Sequence, residues 1–249
     1  MLEMMNTDLE HLIVTLGLGD HRDALLVLAR PALALVDAQE RLSPGCSKLG
    51  GAPDLSASML WPEHRLGPYR FIVQIDLRDL PNNDHGLPDR GMLSFFYAHD
   101  EDGESFWGDP DYVRVYYFDD VAALEPRKPP PPVDFGSSLR VHVQTSSELP
   151  PWPWSHAARN AWPIPEPLRD NYQELRSRLH PSGRYLMGYP DNSTLAYDPT
   201  PGPEWCSLLT LCSDDNLEWL WHDGDWLVTF IERQRLREGD FSQIKADAG

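Results

Sequence analysis

The 249-residue chain carries 39 acidic residues against 21 Lys and Arg, a formal net charge of −18, and 41% of it is hydrophobic. Such a field repels nucleic acid and anionic membrane, and it attracts cations or a basic protein. The longest apolar stretches, Ala24–Ala29 and Pro31–Val36, fall far short of the roughly 20 residues of a membrane span, and the start Met1–Asn6 lacks the basic region of a secretion signal.

In chain order, Thr7-Asp8-Leu9-Glu10 has the capping-box form T-x-x-E and predicts a helix start, closed by Gly17. A second helix begins near Asp20 and is stopped by Pro31, after which Ala32–Val36 reads as a strand. Residues 48–62 read as irregular chain, punctuated by Gly, Pro and Trp61. Phe71–Ile75 and Gly91–Tyr97 are strands. Four consecutive prolines, Pro129–Pro132, and a second cluster from Pro150 to Pro167 read as polyproline II spacers, with a strand at Leu139–Val143 between them. Leu168, Tyr172, Leu175 and Leu179 make one stripe of a helix over Leu168–Leu179. Cys206–Cys212 is a strand. Asp223-Gly224 predicts a type I′ turn that pairs Trp221 with Trp226, Trp219 with Val228 and Leu217 with Phe230, an apolar face for the core.

A short motif occurs twice. Leu49-Gly50-Gly51-Ala52-Pro53-Asp54 reads L-x-G-x-P-D, and so does Leu186-Met187-Gly188-Tyr189-Pro190-Asp191. Each copy is followed by an apolar strand and then a Gly-led strand, at offsets of 137, 136 and 134 residues. The expected fold is therefore α+β: two related antiparallel-sheet halves from internal duplication, with a short helical N-terminus. The boundaries are a helical segment 1–30, a first half 31–125, a proline-rich connection 126–167, and a helix with the second half 168–249, in one composite domain. Residues 45–100 are expected to overlay 182–232, with Gly51 on Gly188 and Pro53 on Pro190. Gly50, Gly51, Pro53, Trp61, Gly188 and Pro190 are assigned to structure, glycine being the residue that tolerates positive φ or close backbone approach.

Catalytic signatures are missing: there is no G-x-S-x-G, no phosphate-binding G-x-x-x-x-G-K-[ST], no H-E-x-x-H and no C-x-x-C. Cys206 and Cys212 sit roughly 20 Å apart along one strand, too far for a disulfide or a shared metal, which fits a reducing cytoplasm. No metal site and no cofactor are predicted. Asp100–Glu104 has the acidity of a calcium loop without its alternating ligands. His222 facing Asp225 reads as a surface pair beside a turn. Gln74, inside the apolar run Phe71–Leu77, must find partners or lose about 1–3 kcal/mol, and it is read as a brace for the glycine loop at 49–54.

The same residues carry a family resemblance. Lys48–Pro53 with Trp61-Pro62, then Phe71–Leu77, Gly91–Tyr97, Leu186–Asp191, Leu208–Phe230 and Asp240-Phe241-Ser242 resemble the YwqG-like family of bacterial domains of unknown function. The resemblance spans roughly residues 25–244. It implies an α+β fold of duplicated sheets and a cytoplasmic protein, and it brings no accepted catalytic residues. Relatives near polymorphic-toxin loci imply an immunity role.

Two blocks hold most of the charge. Residues 81–120 have ten acidic residues against Arg90 and Arg114, and residues 191–225 have eight and no Lys or Arg. The first functional reading is a non-catalytic acidic protein that recognises a basic protein partner, as an immunity or toxin-neutralising protein, with Asp214, Asp215, Asp223 and Asp225 as exposed loop carboxylates. The second is a small-ligand binder or hydrolase-like enzyme whose cleft between the halves is lined by Gln74, Asp76, Asp191 and Asp214. No nucleic acid and no membrane are expected as partners.

Overall fold

The computed structural model describes residues 2–81, 85–100, 103–131, 133, 136–153, 155–180, 182–191 and 194–249. Its strands are β1 Arg30–Asp37, β2 Lys48–Gly50, β3 Asp54–Ser56, β4 Glu63–His64, β5 Gly67–Pro68, β6 Arg70–Asp76 and β7 Met92–Tyr97. They continue with β8 Val113–Phe118, β9 Leu124–Pro126, β10 Ser138–Glu148, β11 Arg184–Met187, β12 Trp205–Cys212, β13 Trp226–Glu232 and β14 Lys245–Ala248. The helices are α1 Leu2–Thr15, α2 Arg22–Leu28, α3 His156–Asn160, α4 Arg169–Leu179 and α5 Arg233–Glu238. Helix and strand are mixed, and antiparallel sheet dominates.

Ten strands form one sheet in the order β14-β13-β12-β11-β1-β10-β2-β6-β7-β8. The sheet curls until its edges approach one another. Tyr117 of β8 lies with its ring 5.9 Å from that of Phe241, just before β14, and the two edge strands line one groove. The result is a nearly closed, barrel-like sheet. Leu33, Leu49, Val73, Phe95, Leu186, Leu209 and Leu227 share its core, and all are essentially inaccessible to water. A second cluster lies outside, where Ile13, Leu25, Leu149, Tyr172 and Leu175 pack α1, α2 and α4 together.

The expected halves are not separate sheets. β1, which leads the first half, pairs with β11 of the second, and β10, from the connection between them, pairs with β1 and with β2 of the first. Beyond those pairings the registers correspond. Lys48 pairs with Gln74 and Leu49 with Val73; likewise Tyr185 pairs with Thr210 and Leu186 with Leu209. One irregularity falls between Phe71 and Val73 of β6, and another at the matching place, between Ser207 and Leu209 of β12. Gly50 and Gly51 have φ of +60° and +70°, and Met187 and Gly188 have +64° and +72°.

Neighbouring strands alternate in direction, so position in the sheet fixes which end of the barrel each connection leaves. β1, β2, β7, β12 and β14 run one way, so the segments 98–112 and 213–225, which follow β7 and β12, emerge at the same end. The segments after β10, β11 and β13 emerge at the opposite end.

Three local expectations are corrected. The hairpin partner of β13 is β12, with Cys212 opposite Trp226, and residues 213–225 are a loop between them. Asp214 explains this: its carboxylate accepts from the amides of Asn216 and Leu217 and starts a short 3-10 turn, closed by Glu218 at φ +57°. The Ser213 hydroxyl then takes the Trp221 amide at 2.9 Å. Trp219 and Trp221 still reach the core, as the apolar pattern requires. The second correction is α1, which starts at Leu2, so Thr7 lies inside the helix and not at its cap. The third is the segment 48–62, which holds β2 and β3, the latter paired with β9.

Candidate functional site: an acidic end around Trp221

Trp221 is buried, and its ring meets Tyr97 at 5.0 Å and Trp107 at 6.5 Å between centroids, both edge-on. Trp107 in turn packs on Tyr112 at 5.3 Å. This aromatic seat fastens segment 98–112 to segment 213–225, joining parts of the two acidic blocks that lie more than 100 residues apart in sequence. Edge-to-face aromatic pairs add about 0.5–1.5 kcal/mol each beyond their burial. Among the described residues of these two loops, Glu104, Asp109, Asp111, Asp215, Glu218 and Asp223 are exposed carboxylates.

Each loop has its own fastening. The Tyr69 hydroxyl donates to the carbonyl of Asp111, which sits at φ +66°, and burial pushes the Tyr69 hydroxyl pKa up to about 12. A raised tyrosine pKa contributes stability that is whole below about pH 10 and is lost as pH rises through about 12. Tyr69→Phe is therefore expected to cost about 1–2 kcal/mol at neutral pH, with the gap from wild type narrowing above pH 10 in melts taken as a pH series. Glu218 is held by Arg70 at 2.9 Å.

The residues expected to form the site divide into two groups. Asp215 and Asp223 are exposed, as read from the sequence. Asp214 and Asp225 are not free loop carboxylates. Asp214 pairs with Arg184 at 2.6 Å, and Arg184 also reaches Asp37 at 2.7 Å. Asp225 faces His222, Oδ2 to Nδ1, at 3.2 Å. Gln74 is a brace: its Nε2 donates to Asp54 at 2.6 Å and to the Cys46 carbonyl at 2.9 Å, while its Oε1 accepts from the Asp54 amide at 2.8 Å. Lys48 completes that cluster at 3.1 Å from Asp54. Asp76 accepts from Arg78 and caps the turn after β6. Asp191 pairs with Arg176 at 3.0 Å. Gln74, Asp76, Asp191 and Asp214 thus serve four different partner sets and do not converge on one concave site.

Of the motif residues, Pro53 accepts the Arg127 amide at 2.9 Å. Trp61 donates to the Tyr69 carbonyl at 2.9 Å. Gly50, Gly51 and Gly188 press against the backbone or side chains of β10 and the residues beside it. Of the run Asp100–Glu104, residues 101–102 lie outside the described residues, and among the described residues no cluster of three metal-ligating side chains occurs. No helix among them is long and apolar enough to cross a membrane. The aromatic seat was not legible in the sequence, since Trp107 and Tyr97 carry no spacing signal toward Trp221.

A family model described as Domain of unknown function (DUF1963) matches residues 47–247. No curated protein matches the chain.

Proposed function

The chain belongs to the DUF1963 family of domains of unknown function, and from that premise we propose that it is a non-catalytic binding protein. Its acidic end recognises a basic protein partner, as an immunity or toxin-neutralising protein of the bacterial cytoplasm. The observation that carries this reading is the Trp221 seat, which gathers loop carboxylates from both acidic blocks at one end of the barrel. The matching registers of β2–β6 and β11–β12 support internal duplication as the origin of the halves. The ordered motifs support a finer placement among YwqG-like proteins.

The test uses the partner that co-purifies with the protein from its native cells. Between about 10 mM and about 1 M salt the screening length shrinks from ~30 to ~3 Å, so the association rate is expected to fall by about tenfold or more. The triple variant Glu104→Gln/Asp215→Asn/Asp223→Asn should slow association at low salt. Its melting temperature should stay within about 2 °C of wild type, because exposed charges add little stability. A salt-independent association rate, or a triple variant that binds like wild type, would overturn the reading.

A further inference from the structure

The opposite end of the barrel has the opposite character. A cleft of about 690 Å³ opens there, and five arginines line it: Arg30 at the start of β1, Arg159 of α3, Arg169 and Arg176 of α4, and Arg233 at the start of α5. Those five come from a total of 21 basic residues in a chain of net charge −18, so their convergence is not a by-product of composition. Asp198 is the one carboxylate residue among the described lining residues, and it accepts the Thr200 amide at 2.9 Å.

The guanidiniums are held in place in different ways. That of Arg30 lies 3.9 Å over the ring of Tyr189, and that of Arg169 lies 5.9 Å from the ring of Trp152. Arg169 also faces Glu166 at 3.7 Å on its exposed side. Arg176 is fixed from behind by Glu148 at 3.1 Å and Asp191 at 3.0 Å. Arg30 and Arg233 pair with no carboxylate among the described residues. The buried Cys206 thiol in the wall registers their field: burial pushes its pKa up, while Arg233, Arg237 and Arg30 pull it down.

Holding like charges around a concave site costs free energy unless a counter-charge joins them. Arginine's planar fork and weak hydration suit oxyanions that accept two parallel hydrogen bonds, and phosphate, with up to two charges on one group, matches several guanidiniums at once. The volume lies within the roughly 300–1,000 Å³ of small-molecule sites. The second L-x-G-x-P-D motif supplies one wall through Gly188, Tyr189 and Pro190. In the first copy, by contrast, Lys48 and Gln74 fill the space beside Asp54.

We propose that this cleft binds a small phosphate-bearing organic anion. Arg30 and Arg233 pair directly with the phosphate, Arg176 is the fixed positioning charge, and Trp152 and Tyr189 wall the organic part. The site is independent of the acidic end and of any protein partner there.

Titration calorimetry on the full chain with four probes tests it: ATP without metal, inorganic pyrophosphate, adenosine and citrate. ATP and pyrophosphate are expected to bind, ATP the tighter, and adenosine and citrate at least about tenfold more weakly than ATP. Arg30→Gln/Arg233→Gln should weaken ATP binding by about 10- to 100-fold while the free protein melts as wild type. Arg233→Gln alone, at an exposed helix start, keeps the measurement readable if the Arg30 change disturbs Tyr189. The Glu104→Gln/Asp215→Asn/Asp223→Asn variant should keep its ATP affinity, and a loss there would place the phosphate site elsewhere. Failure of ATP and pyrophosphate to bind at millimolar concentration would overturn the proposal. So would citrate or adenosine binding as tightly as ATP, or arginine variants with undiminished affinity.

Discussion

Gly51→Val is expected to lower the stability of the protein by about 3–5 kcal/mol, roughly 10 °C in melting temperature for a chain of this size. Two independent penalties add. Gly51 has φ +70°, a region that a β-branched residue enters only under strain. A Cβ placed there would also stand 2.5 Å from the Cβ of Ser138, at the start of β10. That neighbour is fixed, since Ser138 is opposite Gly50 in the sheet and its hydroxyl donates to the Gly50 carbonyl at 3.2 Å. Gly224→Val separates the two penalties, because Gly224 has φ +99° with open space around it. It should lose only the conformational share, about 1–3 kcal/mol. Thermal melts of both variants decide the matter. A Gly51→Val protein that melts with wild type and loses a ligand would make the loop a binding element and not a brace.

The glycine loops were legible because their signal is local: a motif, its copy, and strands following at fixed distance. The strands themselves were legible for the same reason, since Phe71–Ile75, Gly91–Tyr97 and Ser207–Leu211 are apolar runs bounded by turn residues. What no local pattern carries is the pairing of β1 with β11 and of β10 with β2, because a strand's partner lies up to about 150 residues away and is chosen by tertiary packing. The Asp223-Gly224 turn misled for a related reason. A type I′ signal favours a tight hairpin, but Asp214 captures two amides eleven residues before Asp225, and burial of Trp219 and Trp221 outweighs the local preference. The two charge blocks meet through segments 98–112 and 213–225, but charge counting does not tell exposed Asp215 and Asp223 from Asp214, which Arg184 holds, because the pairing partner lies 30 residues away in sequence. The arginine cleft left no trace in the sequence. Its residues stand at 30, 159, 169, 176 and 233, on one strand and three helices that only the tertiary fold brings together.

Arg176 links the second motif to the sheet, and Arg176→Met should cost about 3–5 kcal/mol. Its guanidinium is almost wholly enclosed. Burial works against the charge, yet Asp191 and Glu148 outweigh it and hold the group protonated above its ordinary range. Methionine keeps the unbranched apolar stem and removes the guanidinium, so most of the loss is electrostatic. Two carboxylates would lose their contact with the guanidinium. Glu148, at 2% side-chain exposure, keeps His180 Nε2 at 2.8 Å, and Asp191 loses the Arg176 contact at 3.0 Å. Arg176→Lys should fall between, because a single ammonium cannot span both carboxylates as the fork does. The decisive comparison is Arg176→Met/Asp191→Asn, which removes one of the two carboxylates that faced the guanidinium and should recover about 1–2 kcal/mol of the single variant's loss. Chemical denaturation of the four proteins measures it. A double variant no more stable than Arg176→Met would mean that the arginine acts through packing, and a single variant as stable as wild type would mean that the pair is solvated in solution.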